Sequence, residues 1–322
     1  MSELVSIIQK VLEDADLVLG WTATGAGGVA APARFHTAEE AERAVLNPTC
    51  VHNLAVHLPR LRDRTVGIIA KGCDVRSVVQ LIQEREIERE RVRVIAVSGL
   101  GGIINVREIW RRHGYGVEID AAGDSLFIGG KAFDRTEYLR HKCLGCRDRE
   151  PVIYDELFEA HGPKIAGPGE PGPPPGQFDG PGEPGPLRAD FNAMSPAERR
   201  DFWREQYSRC IRCYACREAC PICFCRDVCS MQTRDPHWTG GDINAHEAEM
   251  MQLIRVNHLA GRCTGCGECE RACPVGIPLM LLMEEQNRAV EGLFGYRAGT
   301  DPEAKPPLLT FDIKRDDFGD KK

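Results

Sequence analysis

The chain has 322 residues, a formal net charge of −7 and a pI of about 5.8. This length is enough for two domains with their own cores, and the acidic balance excludes nucleic acid as an expected partner. The start, Met1-Ser2-Glu3-Leu4, has no signal-peptide pattern, and no apolar run approaches the length of a membrane span. We therefore expect a cytoplasmic protein without membrane insertion, in which thiols stay reduced.

The first half of the chain alternates helical and extended patterns. A helical stripe is formed by Leu4, Ile7, Ile8, Val11 and Leu12. Five short apolar runs follow it, at Asp16–Leu19, Thr65–Ala70, Val92–Val97, Gly116–Asp120 and Ser125–Ile128. Between the second and third runs, Asp74 is placed to cap a helix with Val75, Val78, Val79 and Ile82 on one face. This β-α-β alternation predicts an α/β N-terminal domain over residues 1–162.

A linker is predicted over residues 163–189. Between Gly167 and Pro186, fifteen of twenty residues are glycine or proline, without the three-residue period of collagen. Such a composition predicts a semi-stiff spacer that has no packed core of its own. The linker separates the α/β domain from a second domain over residues 190–322.

The second domain has helical patterns. Ser195-Pro196-Ala197-Glu198 is a capping box with proline at the first helical position, and it predicts a helix that leads toward Cys210. Further helices are predicted over Ala245–Leu259 and from Pro278 toward Leu293. The expected fold is thus an α/β domain followed by an α-helical domain.

Two copies of one cysteine pattern lie in this helical domain. The first is Cys210-x2-Cys213-x2-Cys216-x3-Cys220-Pro221, and the second is Cys263-x2-Cys266-x2-Cys269-x3-Cys273-Pro274. In this pattern three thiolates bind one cubane, and the fourth cysteine reaches the other one. We therefore assign two [4Fe–4S] clusters with crossed ligands: Cys210, Cys213, Cys216 and Cys273 for one, and Cys263, Cys266, Cys269 and Cys220 for the other. Zinc also uses paired cysteines, but it does not need the third x2 step and the x3-Cys-Pro ending twice.

Forty-two residues separate Cys220 from Cys263, more than a compact bacterial ferredoxin needs. With this spacing, residues Ala193–Phe294 resemble the α-helical ferredoxin domains of fumarate reductase iron–sulfur subunits and heterodisulfide reductase small subunits. The resemblance implies a ferredoxin-like domain in which helices fill the gap between the two cluster loops. Because exposed cubanes react with oxygen, we expect a role in anaerobic metabolism.

Seven cysteines lie outside the two motifs: Cys50, Cys73, Cys143, Cys146, Cys223, Cys225 and Cys229. Cys50 is interpreted as a buried small hydrophobic residue. Cys73 is predicted at a helix N-terminus beside a lysine, where both neighbours favour the thiolate. Cys143 and Cys146 form a lone CxxC pair, which suits half a metal site or a redox pair.

Several segments outside the linker carry a second resemblance. Four of them are Lys71-Gly72-Cys73-Asp74-Val75-Arg76, Val97-Ser98-Gly99-Leu100-Gly101, Lys142-Cys143-Leu144-Gly145-Cys146 and Tyr154-Asp155-Glu156-Leu157. In this order they resemble the β subunits of coenzyme F-420-reducing hydrogenases and formate dehydrogenases. The run from Phe202 to Cys216 is similar to the dicluster forms of that family found beside heterodisulfide-reductase-like complexes.

The family resemblance implies a third [4Fe–4S] cluster beside FAD. Its ligands would be Cys73, Cys143, Cys146 and one more cysteine after the central strand, where this chain has Gly99 or its neighbour. Either one of Cys223, Cys225 and Cys229 supplies the missing thiolate, or the N-terminal cluster is lost. The loop Gly25-Ala26-Gly27-Gly28-Val29-Ala30 can be written as a pyrophosphate-binding pattern, but Pro32 follows it, so we interpret it as an ordinary glycine loop.

Three functions fit these patterns. The first is an iron–sulfur electron-transfer subunit of a cytoplasmic oxidoreductase complex, with hydrogenase, formate dehydrogenase or heterodisulfide-reductase-like partners. The second is a flavin-dependent enzyme that exchanges hydride with a deazaflavin or a nicotinamide. The third is a zinc-dependent scaffold. There is no Cys-Cys doublet and no Walker phosphate loop, which removes a heterodisulfide reductase catalytic module and an ATP-driven reductase.

Overall fold

The structure is a computed structural model that describes residues 2–122, 125–144, 146–162, 191, 193–225, 228–232 and 238–311. The predicted linker at 163–189 lies outside the described residues. An α/β region precedes it and a helical region follows it. None of the described helices is long and apolar enough to cross a membrane.

The α/β region is built on eight strands in two sheets. The strands are β1 (Leu17–Ala23), β2 (Ala30–Phe35), β3 (Val66–Lys71), β4 (Val92–Ser98), β5 (Ile119–Ala122), β6 (Ser125–Ile128), β7 (Lys131–Asp134) and β8 (Glu156–Glu159). The larger sheet has the order β2-β1-β3-β4-β8, in which β1, β3, β4 and β8 are parallel and β2 is antiparallel to β1. Strand β3 lies at its centre and is buried throughout, as its continuous apolar run predicts.

Five helices accompany these strands. They are α1 (Ser2–Leu12), α2 (Ala38–Ala41), α3 (Gly72–Gln83), α4 (Val106–His113) and α5 (His141–Leu144). Helices α1 and α3 pack on the larger sheet through the apolar stripes predicted for them, including Leu4 and Ile8 of α1 and Val75 and Val78 of α3. The predicted β-α-β unit is therefore present as β3-α3-β4.

The glycine loop after β1 is the turn of a β hairpin. The Thr24 amide donates to the Val29 carbonyl at 2.9 Å, and β2 then runs back along β1. Gly27 has a φ of +59°, and a Cβ there would lie 2.2 Å from the Val117 carbonyl oxygen. The loop therefore leads into a strand and not into the helix that follows a pyrophosphate-binding loop. Pro32 fits because β2 is an edge strand.

Three long helices and two short ones are described in the helical region. They are α6 (Pro196–Ser208), α7 (Ala215–Glu218), α8 (Ala245–His258), α9 (Glu268–Ala272) and α10 (Leu279–Phe294). The predicted capping box at the start of α6 is present, since Ser195 and Glu198 each accept the other's backbone amide. Helix α6 packs against α8, and both lead toward a cysteine loop.

Helix α3 joins the two regions. Arg76 donates to the Ala298 carbonyl at 2.9 Å, and the Tyr296 hydroxyl donates to Gln80 at 3.1 Å. Buried apolar residues of both regions also belong to one continuous hydrophobic cluster. The carboxyl end of the described chain is therefore packed against the α/β region.

We predict that Gly299→Ala destabilises this junction by about 1–3 kcal/mol. Gly299 has a φ of +71°, and a Cβ there would lie 2.1 Å from the Arg76 carbonyl oxygen. The measurement is the guanidinium midpoint of unfolding.

The matched control is Gly292→Ala on α10. Nothing lies within 4 Å of a Cβ at that position, so alanine should be neutral or stabilise by about 0.5–1 kcal/mol. Equal midpoints for the two variants would contradict the proposed steric constraint at Gly299.

Candidate metal centres

The two cysteine loops follow the same backbone path. In the second loop, Gly265 and Gly267 have φ values of +70° and +71°. In the first loop the equivalent positions are Arg212 and Tyr214, with φ values of +51° and +59°. Left-handed residues between right-handed ones turn successive amides to one side, which is the backbone form that binds iron–sulfur centres and other anions. A short helix, α7 or α9, then starts in each loop.

Arg212 holds the strained first loop in place. Its guanidinium donates to the Asp242 carbonyl at 2.8 Å and to the Thr239 hydroxyl at 3.0 Å. It also donates to the Gly240 carbonyl. A left-handed conformation costs an arginine about 1–2 kcal/mol, which these hydrogen bonds offset.

The first set of thiols, as we call it, contains Cys210, Cys213 and Cys216 of the first loop and Cys273 of the second loop. Burial raises the pKa of Cys210 and of Cys216, and at both positions the thiol of Cys273 raises it further. The thiol of Cys213 acts on the same two cysteines. The fourth cysteine of the second loop therefore faces the three thiols of the first loop.

The second set of thiols contains three cysteines of the second loop and Cys220 of the first loop. Burial raises the pKa of Cys263, Cys266 and Cys269. At all three the thiol of Cys220 raises the pKa further. The fourth cysteine of the first loop thus faces the three thiols of the second loop.

The donor chemistry of both sets fits an iron–sulfur cluster. Every member is a thiol, the ligand that such clusters take, and the Ile277 amide donates to the Cys273 sulfur at 3.3 Å. The described residues contain no group of three or more His, Cys, Asp or Glu side chains arranged for one metal ion. A cubane differs from such a site because its four thiolates bind four separate iron atoms.

The two sets differ in their surroundings. Cys213 of the first set is exposed, whereas Cys266 and Cys269 of the second set are buried. Beside the second loop, Lys142 of α5 packs so closely on Gly267 that a Cβ there would lie 2.9 Å from the lysine chain. The first set therefore reaches the surface at Cys213, and the second set lies against the α/β region.

A cavity of about 460 Å³ in the α/β region is lined by Cys73, Cys143 and Cys146. It opens where β3 and β4 end, and ligands of α/β sheets bind at this edge. The Ile103 amide donates to the Cys143 sulfur at 3.5 Å. Three of the cysteines that the family resemblance implies as ligands are therefore together in one cavity.

The position of the missing fourth cysteine is sterically closed. Gly99 has a φ of +65°, and a Cβ there would lie 2.2 Å from the Ala160 carbonyl oxygen. The lining residues of the cavity do not include Cys223, Cys225 or Cys229. Cys223 contacts Cys220 in the helical region, and Cys229 lies 3.4 Å from Arg217. Among the described residues, this cavity thus has three thiols.

Two sequence expectations about Cys73 and Asp74 are wrong in detail. Burial raises the pKa of Cys73 to about 12, although Lys142 lowers it, so the helix N-terminus does not produce a depressed pKa. Lys71, the lysine expected to act, does lower the pKa of Cys73, but less than burial raises it, and Lys71 also forms an ion pair with Asp74 at 2.6 Å. Asp74 occupies the third position of α3 and accepts the Lys71 amide at 3.4 Å, rather than preceding the helix.

Lys142 connects this cavity with the second set. Its ammonium lies 3.8 Å from the Cys73 sulfur and donates to the Cys266 carbonyl. Burial by itself lowers the pKa of Lys142, but Cys73, Cys143 and Cys266 outweigh it, so the pKa is raised and the group stays charged.

Cys50 lies apart from all three sites, and burial raises its pKa to about 11, as expected for a buried small residue.

Comparisons with known proteins agree with this geometry. Residues 206–277 match the family model described as a 4Fe-4S dicluster domain. The chain is 38% identical over 113 residues to the F420-dependent formate dehydrogenase subunit beta of Methanocaldococcus jannaschii, which covers 35% of this chain and 28% of that protein. It is 40% identical over 106 residues to the F420-dependent formate dehydrogenase 1 subunit beta of Methanococcus maripaludis, which covers 33% of this chain and 26% of that protein.

The chain thus contains a dicluster domain and is similar to formate dehydrogenase β subunits, which confirms the resemblance seen in its motifs. The matches span about a quarter of the length of these curated relatives. A chain in the solved F420-reducing [NiFe] hydrogenase complex from Methanosarcina barkeri is 13% identical, with a TM-score of 0.36 over 47% of this chain and 60% of that chain. A TM-score this low does not decide the fold.

We predict that Cys220→Ser removes one of two clusters. If Cys220 binds with the second loop, iron and acid-labile sulfide should each fall from about eight to about four per chain. The measurement is chemical analysis of anaerobically purified protein.

Cys50→Ala is the control, because it also removes one thiol from the chain but at a position outside the two sets. It should keep the wild-type content of iron and sulfide. Full cluster content in Cys220→Ser would contradict the crossed arrangement.

Proposed function

We propose that the chain is an iron–sulfur electron-transfer subunit of a cytoplasmic oxidoreductase complex, which passes electrons through two [4Fe–4S] clusters. The observation that carries the proposal is the crossed pairing of the loops, with Cys220 facing the second set and Cys273 facing the first. The dicluster family model over 206–277 supports the same cofactor class. Bound there, the clusters would supply one-electron redox chemistry.

The sites lie in an order that suits a relay. The α/β cavity contacts the second set through Lys142, the second set lies beside the first set through Cys220 and Cys273, and the first set reaches the surface at Cys213. In this proposal the cysteines are ligands rather than nucleophiles, and no substrate bond forms or breaks in the helical region. The protein sets the reduction potentials through sulfur hydrogen bonds and exclusion of water.

The surface around Cys213 supports docking of another redox subunit. Ile211, Trp238 and Ile243 are at least half exposed, and Arg212 holds the segments that carry them together. Exposed apolar side chains beside a buried centre are typical of protein interfaces. By similarity to the curated relatives, we infer a partner among formate dehydrogenase, hydrogenase or heterodisulfide-reductase-like subunits.

The second candidate function is a flavin-dependent oxidoreductase that exchanges hydride with a deazaflavin or a nicotinamide. The observation that favours it is the cavity at the carboxyl edge of the parallel sheet, whose volume of about 460 Å³ is in the range of ligand sites. Gly101 and Gly102 line it, and glycine lets a ligand approach the backbone closely. In this candidate FAD would occupy that cavity and pass single electrons to the second set.

We predict that anaerobically purified protein contains about eight iron and eight sulfide per chain and shows two interacting [4Fe–4S] signals by EPR when reduced. Cys143→Ser should leave both signals unchanged. A third signal present in the wild type and lost in Cys143→Ser would identify a cluster in the α/β cavity. Protein with zinc in place of iron would overturn the electron-transfer proposal.

The same preparation separates the two candidate functions. A yellow chromophore released on denaturation supports the flavin-dependent enzyme, and its absence supports the relay. Rapid reduction of the bound flavin by a reduced deazaflavin or nicotinamide would establish the enzyme directly. Without flavin, reduction of the clusters by a protein partner is the expected result.

A further inference from the structure

Arg255 is a fully buried arginine between the cysteine sets. It lies on α8 with 1% of its surface exposed, among the largest fully buried side chains of the protein. Gln252, one turn earlier on the same helix, donates to the Cys216 sulfur at 3.7 Å. This face of α8 therefore points to the thiols and not to solvent.

No carboxylate neutralises Arg255 within the described part of the chain. Its Nη1 contacts the Met283 sulfur at 3.7 Å, and its Nε has no hydrogen-bond partner among the residues that the structure describes. A guanidinium keeps its charge at every physiological pH, and an unpaired buried charge costs several kcal/mol. The fold therefore needs an anion beside Arg255.

Thiols from both sets surround the guanidinium. Burial opposes its charge, but Cys269 and Cys216 raise its pKa, followed by Cys220 and Cys223. Reciprocally, Arg255 lowers the pKa of Cys216 and of Cys269, against the larger effect of burial. Cys216 belongs to the first set, and Cys269 belongs to the second, so one cation faces both.

Other arginines near the thiols are already neutralised. Arg262 forms an ion pair with Glu84, and Arg217 forms one with Glu218. Arg212 lies 3.8 Å from a carboxylate oxygen of Glu247 and also donates to backbone carbonyls of residues 240 and 242. The electrostatic fields of these arginines at the cysteines are weaker for that reason. Arg255 lies in a dry interior, and no carboxylate of the described residues forms an ion pair with it.

We propose that Arg255 is the shared counter-ion of the two iron–sulfur clusters and raises the reduction potential of both. This inference rests on the proposed function, since it requires a cluster in each set. A thiolate-bound cubane is anionic and gains one negative charge on reduction, so a fixed cation beside it stabilises the reduced form. Because the same cation faces both sets, it also offsets the repulsion between two reduced clusters.

The test is an anaerobic redox titration of the whole chain, followed by EPR. Arg255→Gln should shift the reduction equilibrium of each cluster at least tenfold toward the oxidised form, which is about 59 mV to lower potential for a one-electron couple. Arg255→Lys keeps the charge and should restore most of the shift. Unchanged potentials in Arg255→Gln, with both clusters bound, would overturn the inference.

The matched control is the double variant Arg262→Gln with Glu84→Gln. It removes an arginine close to Cys220 and Cys223 together with its carboxylate, so the net charge does not change. We expect no shift in either potential. A shift as large as that of Arg255→Gln would mean that packing, and not charge, sets the potentials, which contradicts the proposal.

Cluster content separates this inference from the proposed function. If the wild type contains no iron and sulfide, the proposed function fails and the inference fails with it. If the wild type holds two clusters but Arg255→Gln loses them, Arg255→Lys decides: retention at near wild-type potentials supports a requirement for charge, and loss contradicts it. If both variants hold two clusters at wild-type potentials, the inference alone is wrong.

Discussion

The rest of the structure depends on the exchange of one cysteine between the two loops. Each loop places three thiols on one set and sends its fourth to the other, as Cys220 and Cys273 do. Neither set is complete until both loops have met, although forty-two residues separate them. Helices α6, α8 and α10 pack so that this meeting occurs, and the proposed cofactors would then hold the two loops together.

Buried positive charge accompanies this arrangement. Arg212 keeps the first loop in its left-handed form, Lys142 lies between the α/β cavity and the second loop, and Arg255 lies between the two sets. Eight thiols in a low-dielectric interior would repel each other as thiolates. The basic side chains reduce this repulsion and explain why an acidic chain buries so many of them.

The patterns with strong periodicity were predictable. The apolar runs that became β1, β3, β4 and β6 were recognised, and α8 and α10 differ from their predicted ends by one residue. The edge strand β2 was missed because Pro32 and three alanines, residue types that are depleted in strands, weaken its signal. Helix α4 was missed because it is only eight residues long, although Val106, Ile109 and Trp110 form an apolar stripe on one face. Strand β5 begins at Ile119, later than the predicted Gly116.

The sequence by itself determined which eight cysteines form two sets, because the x2-x2-x3 spacing allows three thiols of a loop to meet and directs the fourth away. It also determined the helical caps and the buried central strand, which are local signals. Only the tertiary structure decided that Cys73, Cys143 and Cys146 meet in one cavity and that this cavity adjoins the second set. It also decided that Arg255 pairs with no carboxylate in the described part of the chain. These facts depend on the contacts between distant segments, and no local pattern encodes which charge remains unpaired when helices and loops close around it.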